Sequence, residues 1–342
     1  MELSATELIY SAKKQTPNVT VKDANGKTLK SGTDYTVSYS SGSTEMGTYT
    51  ATVTFTGNYS GTMSADYSIV CKTANNKKLY PVVINTSVDA TGTLRPNGAV
   101  EIDGVPYTFD NNCVIWVKDT NAKIATTYIY KQGANVHETY PTNMYVWYLT
   151  YNSTTGKYSA ERVKELDNFF KYEGTSIRVN FSSNGIRFFA SIPADKSVKL
   201  MNGSLLTGSL KGYKMVKAGT IYKKWTGNDS YANLDTSISS DVYGGKAGNT
   251  FRVFSTVNSR DWFTGMLTGL EANPATLDMD IQSRPYMTLS LNGKNITIYG
   301  GTVQRSVYYV ATQNRNYWAA GTAYDNFVEN LITIVDNYKK KS

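Results

Sequence analysis

The chain has 342 residues, a formal net charge of +8 and an isoelectric point near 9.1. It carries 27 Tyr, 11 Phe and 5 Trp against one His and two Cys, with 18% charged residues. That balance excludes a disulfide framework, which needs several cysteine pairs. It also leaves an enzyme moving protons near neutral pH with a single histidine, His137.

The length suggests about two or three domains. The 35 Lys and Arg are scattered, and the one run of three is Lys339-Lys340-Lys341, so nucleic acid is not expected as a partner. No apolar stretch approaches the roughly 20 residues of a membrane helix, so no membrane insertion is expected. Met1-Glu2-Leu3 opens straight into strand-like sequence without a signal-peptide core, which would make this a piece of any secreted protein.

Residues 1 to about 70 read as a small all-β module. Val19 and Val21 alternate with polar residues, and Asn25-Gly26 supplies a turn. Tyr35, Val37 and Tyr39 share one strand face, as do Tyr49, Ala51, Val53 and Phe55. Gly57-Asn58-Tyr59-Ser60-Gly61 reverses the chain, and Met63, Ala65, Tyr67 and Ile69 return on one face. Lys72 to Lys78 is polar and reads as a linker. Strand-like sequence resumes at Leu79 and includes Val114-Ile115-Trp116-Val117. Cys71 and Cys113 can bridge or stay as buried thiols, and sequence leaves both open.

Ser159 is placed to cap a helix with Val163, Leu166, Phe169 and Phe170 as its apolar stripe and Gly174 as its end. Strands follow over 176–181 and 185–192, and later over 251–257, 284–289 and 303–310. The C-terminal helix has Thr322 as N-cap and Asp325 three residues on. Its expected apolar face is Tyr324, Phe327, Val328, Leu331, Val335 and Tyr338. The reading is a mainly β fold: an Ig-like β-sandwich over 1–71, then a larger β-sandwich domain over 72–342. The larger domain has one internal and one C-terminal helix and a possible sub-boundary near 158–174.

Residues 220–249 are polar, weakly periodic and hold Tyr222, Trp225, Tyr231 and Tyr243. A loop this long in a compact domain is usually functional or disordered, and disordered linkers seldom carry four aromatics. Trp225 stands out because Lys223, Lys224, Thr226, Gly227 and Asn228 leave it little core to join. Trp116, Trp147, Trp262 and Trp318 read instead as packing residues.

No nucleophile elbow, Walker loop or dinucleotide fingerprint is present. Two Cys and one His do not make a structural zinc site. Among the acids, Asp278 and Asp280 alternate, Glu165 and Asp167 fall on the first expected helix, and Asp110, Asp229, Asp235 and Asp241 sit in expected loops. Asn228, Asp229, Asn233 and Asp235 lack the order of a calcium loop, so no metal site and no cofactor are assigned, although a calcium ion there stays open.

Flat rings beside amide, carboxylate and ammonium groups suit a pyranose, which is apolar on its faces and hydroxylated at its rim. Each ring contact is worth about 25 cal/mol per Å² of apolar area buried. Two or three with hydrogen bonds reach roughly −4 to −8 kcal/mol. The candidate ligand-binding set is Trp225 as platform, Tyr222 and Tyr231 flanking, with Lys224, Asn228 and Asp229 bonding hydroxyls.

The first segment, notably Gly32-Thr33-Asp34-Tyr35-Thr36-Val37 and Gly57-Asn58-Tyr59-Ser60-Gly61, resembles the bacterial Ig-like repeats of large secreted proteins. The runs YEGTSIRVNFSSNGIRFFASIP, FRVFSTVNSRDWFTGMLTGL, DIQSRPYMTLSLNGKNITIYG and RSVYYVATQN resemble a domain of cell-surface proteins from starch-degrading gut anaerobes. Together they resemble starch-adherence-system proteins. The resemblance implies a non-catalytic, extracellular, cell-surface protein of an amylosome-type assembly that holds starch or another α-glucan, here as a monomeric fragment. No binding residue carries over from it. Arg178, Arg187, Arg284 and Arg305 fall in the motif strands and are expected to anchor sheet edges or pair with acids, with an anionic ligand as the alternative. The competing functions are a structural or adhesive protein that binds another protein and a glycoside hydrolase, whose sign is two carboxylates about 5–9 Å apart in a groove.

Overall fold

The computed structural model describes residues 1–84, 99–102, 105–108, 114–121, 124–128, 144–177, 184–224 and 253–341. Among the described residues, those in strands outnumber those in helices about threefold, so the fold is mainly β. The contacts divide into two compact units. The first is Met1–Pro96 with Tyr107–Asn121 and Thr150–Ala160, and the second is Asn97–Pro106 with Ala122–Leu149 and Glu161–Ser342.

In the first unit, β1 (Glu7–Ile9), β2 (Tyr35–Tyr39), β3 (Gly47–Phe55) and β4 (Thr62–Val70) form a sheet in the order β1-β4-β3-β2. The register sets Val37 opposite Val53 and Tyr49 opposite Tyr67. Alternation along each strand then buries Tyr35, Ala51, Val53, Tyr67 and Ile69, as the sequence implies. Met63, near the outer end of β4, is 43% exposed.

The polar run Lys72–Lys78 is not a linker. Thr73–Ala74 pairs with Lys77–Lys78, and Asn75 and Asn76 turn between them with φ of 50° and 61°. Positive φ at both central residues is the hairpin turn that Asn tolerates best after Gly. The core also runs past residue 71. Leu79, Val114 and Trp116 are buried in one cluster with Tyr10, Tyr67 and Ile69. They come from β5 (Tyr80–Val83), its preceding residue, and β6 (Val114–Val117), which pairs antiparallel with β5. Cys71 is a buried free thiol 3.3 Å from Met46 Sδ, and burial pushes its pKa up. Cys113 lies outside the described residues.

In the second unit, β7 (Lys171–Ile177), β8 (Asn184–Pro193), β10 (Ser255–Val257) and β11 (Arg260–Leu270) form a sheet in the order β7-β8-β11-β10. A second sheet has β9 (Lys214–Lys224) beside β12 (Ile281–Leu291), with β13 (Lys294–Tyr299) and β14 (Val303–Arg305) on the other side of β12. Ala190, Ile192 and Phe263 of the first sheet share a core with Met215, Ala218, Met287 and Leu289 of the second. The layers approach closely at Gly265, where an added Cβ would sit 2.6 Å from the Thr220 Cβ.

Pro285 lies inside β12, a place where a missing N–H usually breaks a ladder. Here β14 pairs with residues 281–283 and β13 with 286–291, so Pro285 falls at the gap between them. Its carbonyl accepts from Gly300 N at 2.8 Å.

The helix expected from Ser159 to Gly174 is absent. That stretch is a strand, Lys157–Arg162, a 3-10 turn, Lys164–Leu166, and then β7. Val163, Leu166, Phe169 and Phe170 are all buried, so their spacing marked core but not helix. Arg162 closes the turn by donating to both Asp167 oxygens at 3.1 and 2.7 Å, and Asn168 at φ 48° redirects the chain into β7. The internal helices are α1 (Ala194–Met201), α2 (Pro274–Leu277) and α3 (Val307–Gln313).

The last helix, α4 (Ala323–Lys339), begins where expected. Thr322 Oγ1 accepts from Asp325 N at 3.3 Å, and Asp325 Oδ2 accepts from Gly321 N at 2.9 Å. Val328, Leu331, Ile332 and Val335 pack against Val307 and Val310 of α3 and Ile186, Phe188 and Leu267 of the first sheet. Tyr324 and Tyr338 do not join that face. They stand 47% and 58% exposed at the two ends of α4, beyond the reach of the core.

Candidate functional site

The second unit positions two of the six residues singled out in the sequence. Tyr222 sits in β9 opposite Ser283 and is buried in the same cluster as Ile177, Phe188 and Ile281. Burial raises its phenol pKa. It is core and not a flanking platform, because β9 is covered on both faces from Ala218 to Tyr222. Lys224 ends the strand and is exposed. The first five residues of the expected loop, 220–224, are therefore strand. Trp225, Asn228, Asp229 and Tyr231 lie outside the described residues, as do Tyr243, Asp235, Asp241, Asp110 and His137.

The carboxylates with described partners have structural ones. Glu165 accepts from Thr207 N at 3.1 Å, and Asp167 pairs with Arg162. Asp278 caps α2 and meets Lys339 at 2.9 Å, while Asp280 accepts from Gln304 Nε2 at 3.2 Å. Asp261 is buried and accepts from Ser197 Oγ at 2.6 Å and Thr256 Oγ1 at 2.8 Å, fastening α1 and β10 to β11. Among the described residues no group of three or more His, Cys, Asp or Glu gathers as a metal-holding set.

Trp116 and Trp147 are core residues, as their strand setting implied. Among the described residues, one exposed aromatic surface lies at the connection from α3 to α4. Asn314 ends α3 with Nδ2 donating to Val310 O at 2.7 Å, and its carbonyl accepts from Tyr317 N at 3.0 Å. Asn316 takes φ 69°, a value Asn accepts at small cost. These bonds turn Tyr317 outward, 75% exposed, and lay Trp318 half-buried against the core beneath α4.

Trp318 stacks with Tyr324, with ring centroids 5.9 Å apart and planes 21° from parallel. Tyr317 meets Trp318 edge-on, at 5.1 Å and 81°. The three rings form a corner: two near-parallel surfaces and one standing across them. Two residues before Tyr317, Arg315 makes a two-pronged bond to Glu329 at 2.8 and 3.0 Å. That bond raises the Arg315 pKa and lowers that of Glu329, so both stay charged. The corner thus pairs apolar ring faces with fixed polar groups, as a sugar requires.

Sequence reasoning missed this surface, although the signal was there. The run Asn314-Arg315-Asn316-Tyr317-Trp318 has the same polar-plus-ring character as the run around Trp225. In the sequence Trp318 reads as packing and Tyr324 as part of the buried face of the helix, and the structure stacks the two.

One other concavity stands in the first unit, a cleft of about 570 Å³ with Glu7, Ile9, Met46, Ile69, Cys71 and Lys78 among its walls. Its size suits a small ligand, but no aromatic side chain lines it among the described residues.

No protein-family model matches the chain, and no curated protein matches it. Among solved structures, one described as the complete structure of manganese lipoxygenase of Gaeumannomyces graminis and partial structure of zonadhesin of Komagataella pastoris aligns over 84% of this chain and 95% of its own. Its identity is 9% and its TM-score 0.13, a likeness that carries no argument.

Proposed function

We propose that this is a non-catalytic carbohydrate-binding protein that holds starch or another α-glucan outside the cell, as part of a cell-surface assembly. The observation that carries the reading is the corner of Tyr317, Trp318 and Tyr324. Rings that turn a corner follow a chain that curves, as α-glucans do, while a ribbon-like β-glucan is served by a flat strip. Trp318 is fixed by the core and Tyr324 by the first turn of α4, so little order has to be imposed on binding. The choice of α-glucan among glycans, and the cell-surface setting, rest on the starch-adherence resemblance. Trp225 with Tyr231, Lys224, Asn228 and Asp229 is proposed as a second site of the same kind.

Titration calorimetry against maltoheptaose, cellohexaose and xylohexaose tests the reading. Maltoheptaose is expected to bind with a Kd of roughly micromolar to millimolar order, and the two β-linked sugars to bind far more weakly. Equal heats for all three, or none for maltoheptaose, would overturn it.

A further inference from the structure

The outward face of the β7-β8-β11-β10 sheet carries a second group of rings, and at its centre lies a cation without a carboxylate. Phe189 of β8 meets Phe254, the residue before β10, at 5.6 Å and 60°, and meets Trp262 of β11 at 5.9 Å and 54°. Phe254 is 56% exposed, and its N donates to Trp262 O at 2.6 Å, which holds the ring over the sheet. Arg187 lies two residues before Phe189, on the same face of β8, opposite Met266. Its guanidinium carbon is 5.8 Å from the Phe189 ring centre and 5.5 Å from that of Phe254.

The other described arginines of these motif strands each donate to a backbone carbonyl. Arg284 donates to Gly300 O at 2.9 Å and lies over Tyr299, and Arg305 donates to Gln304 O at 2.6 Å. Arg187 differs. Its one hydrogen bond among the described residues runs from Nη2 to Met266 Sδ at 3.5 Å, a weak acceptor. Its Nε is buried and has no acceptor, and no described carboxylate pairs with it. A guanidinium presents five N–H donors in a rigid fork, and leaving a buried one unmet is costly. The rings hold the fork by its faces and leave its edge for a planar anion.

We propose that this face binds a carboxylate-bearing sugar ring, a uronic acid residue of an acidic polysaccharide. The carboxylate pairs edge-on with Arg187, and the ring rests on Phe254 and Trp262. A carboxylate carried directly on a pyranose places the planar anion beside an apolar ring face, which is the spacing that a guanidinium flanked by aromatic rings accepts. The net charge of +8 favours approach of such a polyanion. This site is separate from the Tyr317 corner and takes an acidic sugar where that corner takes a neutral one.

The test titrates the full chain with trigalacturonic acid, its methyl ester, a triglutamate peptide and maltoheptaose, read by calorimetry and tryptophan fluorescence. Trigalacturonic acid is expected to bind and to quench Trp262, and its neutral ester to bind about tenfold more weakly or worse. Arg187→Gln keeps most of the stem and is expected to lose about tenfold for the acid while maltoheptaose binding is unchanged. Phe254→Ala removes an exposed ring and is expected to weaken the acid without moving the melting temperature. Equal binding of acid and ester, parent-like binding by Arg187→Gln, or no binding of trigalacturonic acid would overturn the proposal. So would triglutamate binding as tightly as the sugar, which would assign the face to acidic peptides. Failure of the maltoheptaose arm alone bears on the Tyr317 corner and leaves this site standing.

Discussion

Trp318 and Tyr324 stack across the start of the last helix with planes 21° from parallel, although five residues, the N-cap Thr322 among them, separate them. The stack joins the core to the surface: Trp318 is half-buried against α4, and Tyr324 is 47% exposed. Exposed Tyr317 and half-buried Trp318 therefore separate in mutation. Tyr317→Ala, at a 75% exposed position, is expected to weaken maltoheptaose binding about tenfold with no change in melting temperature. Trp318→Ala is expected to lose binding and about 2–3 kcal/mol of stability together, because it opens a gap against the core. Denaturant melts beside calorimetry check both.

The tyrosines give a signature at alkaline pH. Burial raises the Tyr286 pKa to about 12, with the neighbouring Tyr299 adding to it, and burial also raises Tyr10, Tyr67, Tyr172, Tyr213 and Tyr222. In the unfolded chain these phenols lose their protons near pH 10, about the reference value for Tyr. Above that pH the unfolded state holds fewer protons than the folded one, so stability falls as pH rises. The stabilisation is whole below the unfolded pKa and is lost through about pH 12, with Tyr286 contributing roughly 2 kcal/mol. Urea midpoints measured across this range should drop steeply, and Tyr286→Phe should flatten the drop. A midpoint that holds constant to the top of the range would contradict the burial of these rings.

Gly265 of one sheet of the second unit lies close against Thr220 of the other. Its Cβ in Gly265→Ala would sit 2.6 Å from Thr220 Cβ and 3.0 Å from Thr220 Cγ2, both inside van der Waals contact. Overpacking of this kind costs about 1–3 kcal/mol. A calorimetric melt of Gly265→Ala should show a lower transition, and Gly269→Ala gives a contrast. Gly269 has open space around it but a φ of 77°, so its cost is backbone strain and not a clash.

Arg162 and Asp167 hold the turn that took the place of an expected helix. The arginine side chain is 7% exposed and lies 4.2 Å from the Tyr145 ring centre. Arg162→Ala strands a partly buried carboxylate and should cost about 2–3 kcal/mol. Replacing both partners should recover part of that loss, and a double-mutant cycle by chemical denaturation reads the coupling.

Much of the fold could be read from alternation. Tyr35, Val37, Ala51, Val53, Tyr67 and Ile69 follow a two-residue period, and the structure pairs them as that period requires. The cap of α4 was legible because Thr322 and Asp325 act within four residues of each other. The failures came where local pattern does not carry tertiary information. Val163, Leu166 and Phe170 fit a helical period, yet a bond between Arg162 and Asp167 and the left-handed Asn168 set the path of the chain. Asn75-Asn76 looked like linker because polar residues serve tight turns and loose chain alike. At the candidate site, Tyr222 and Tyr317 are the same residue type in polar surroundings. One is buried because its strand packs against Ile177 and Phe188 of the other sheet, and the other is exposed because it follows the end of α3. That difference lies in the packing of distant strands.

Pull-down on insoluble starch tests the central claim most directly, with the parent chain set beside a Tyr317→Ala, Trp318→Phe, Tyr324→Ala variant that keeps a ring in the core. The parent is expected to sediment with starch and stay soluble with cellulose, and the folded variant to remain in the supernatant. Parent protein that ignores starch, or a folded variant that sediments as well as the parent, would contradict glucan binding by this corner of rings.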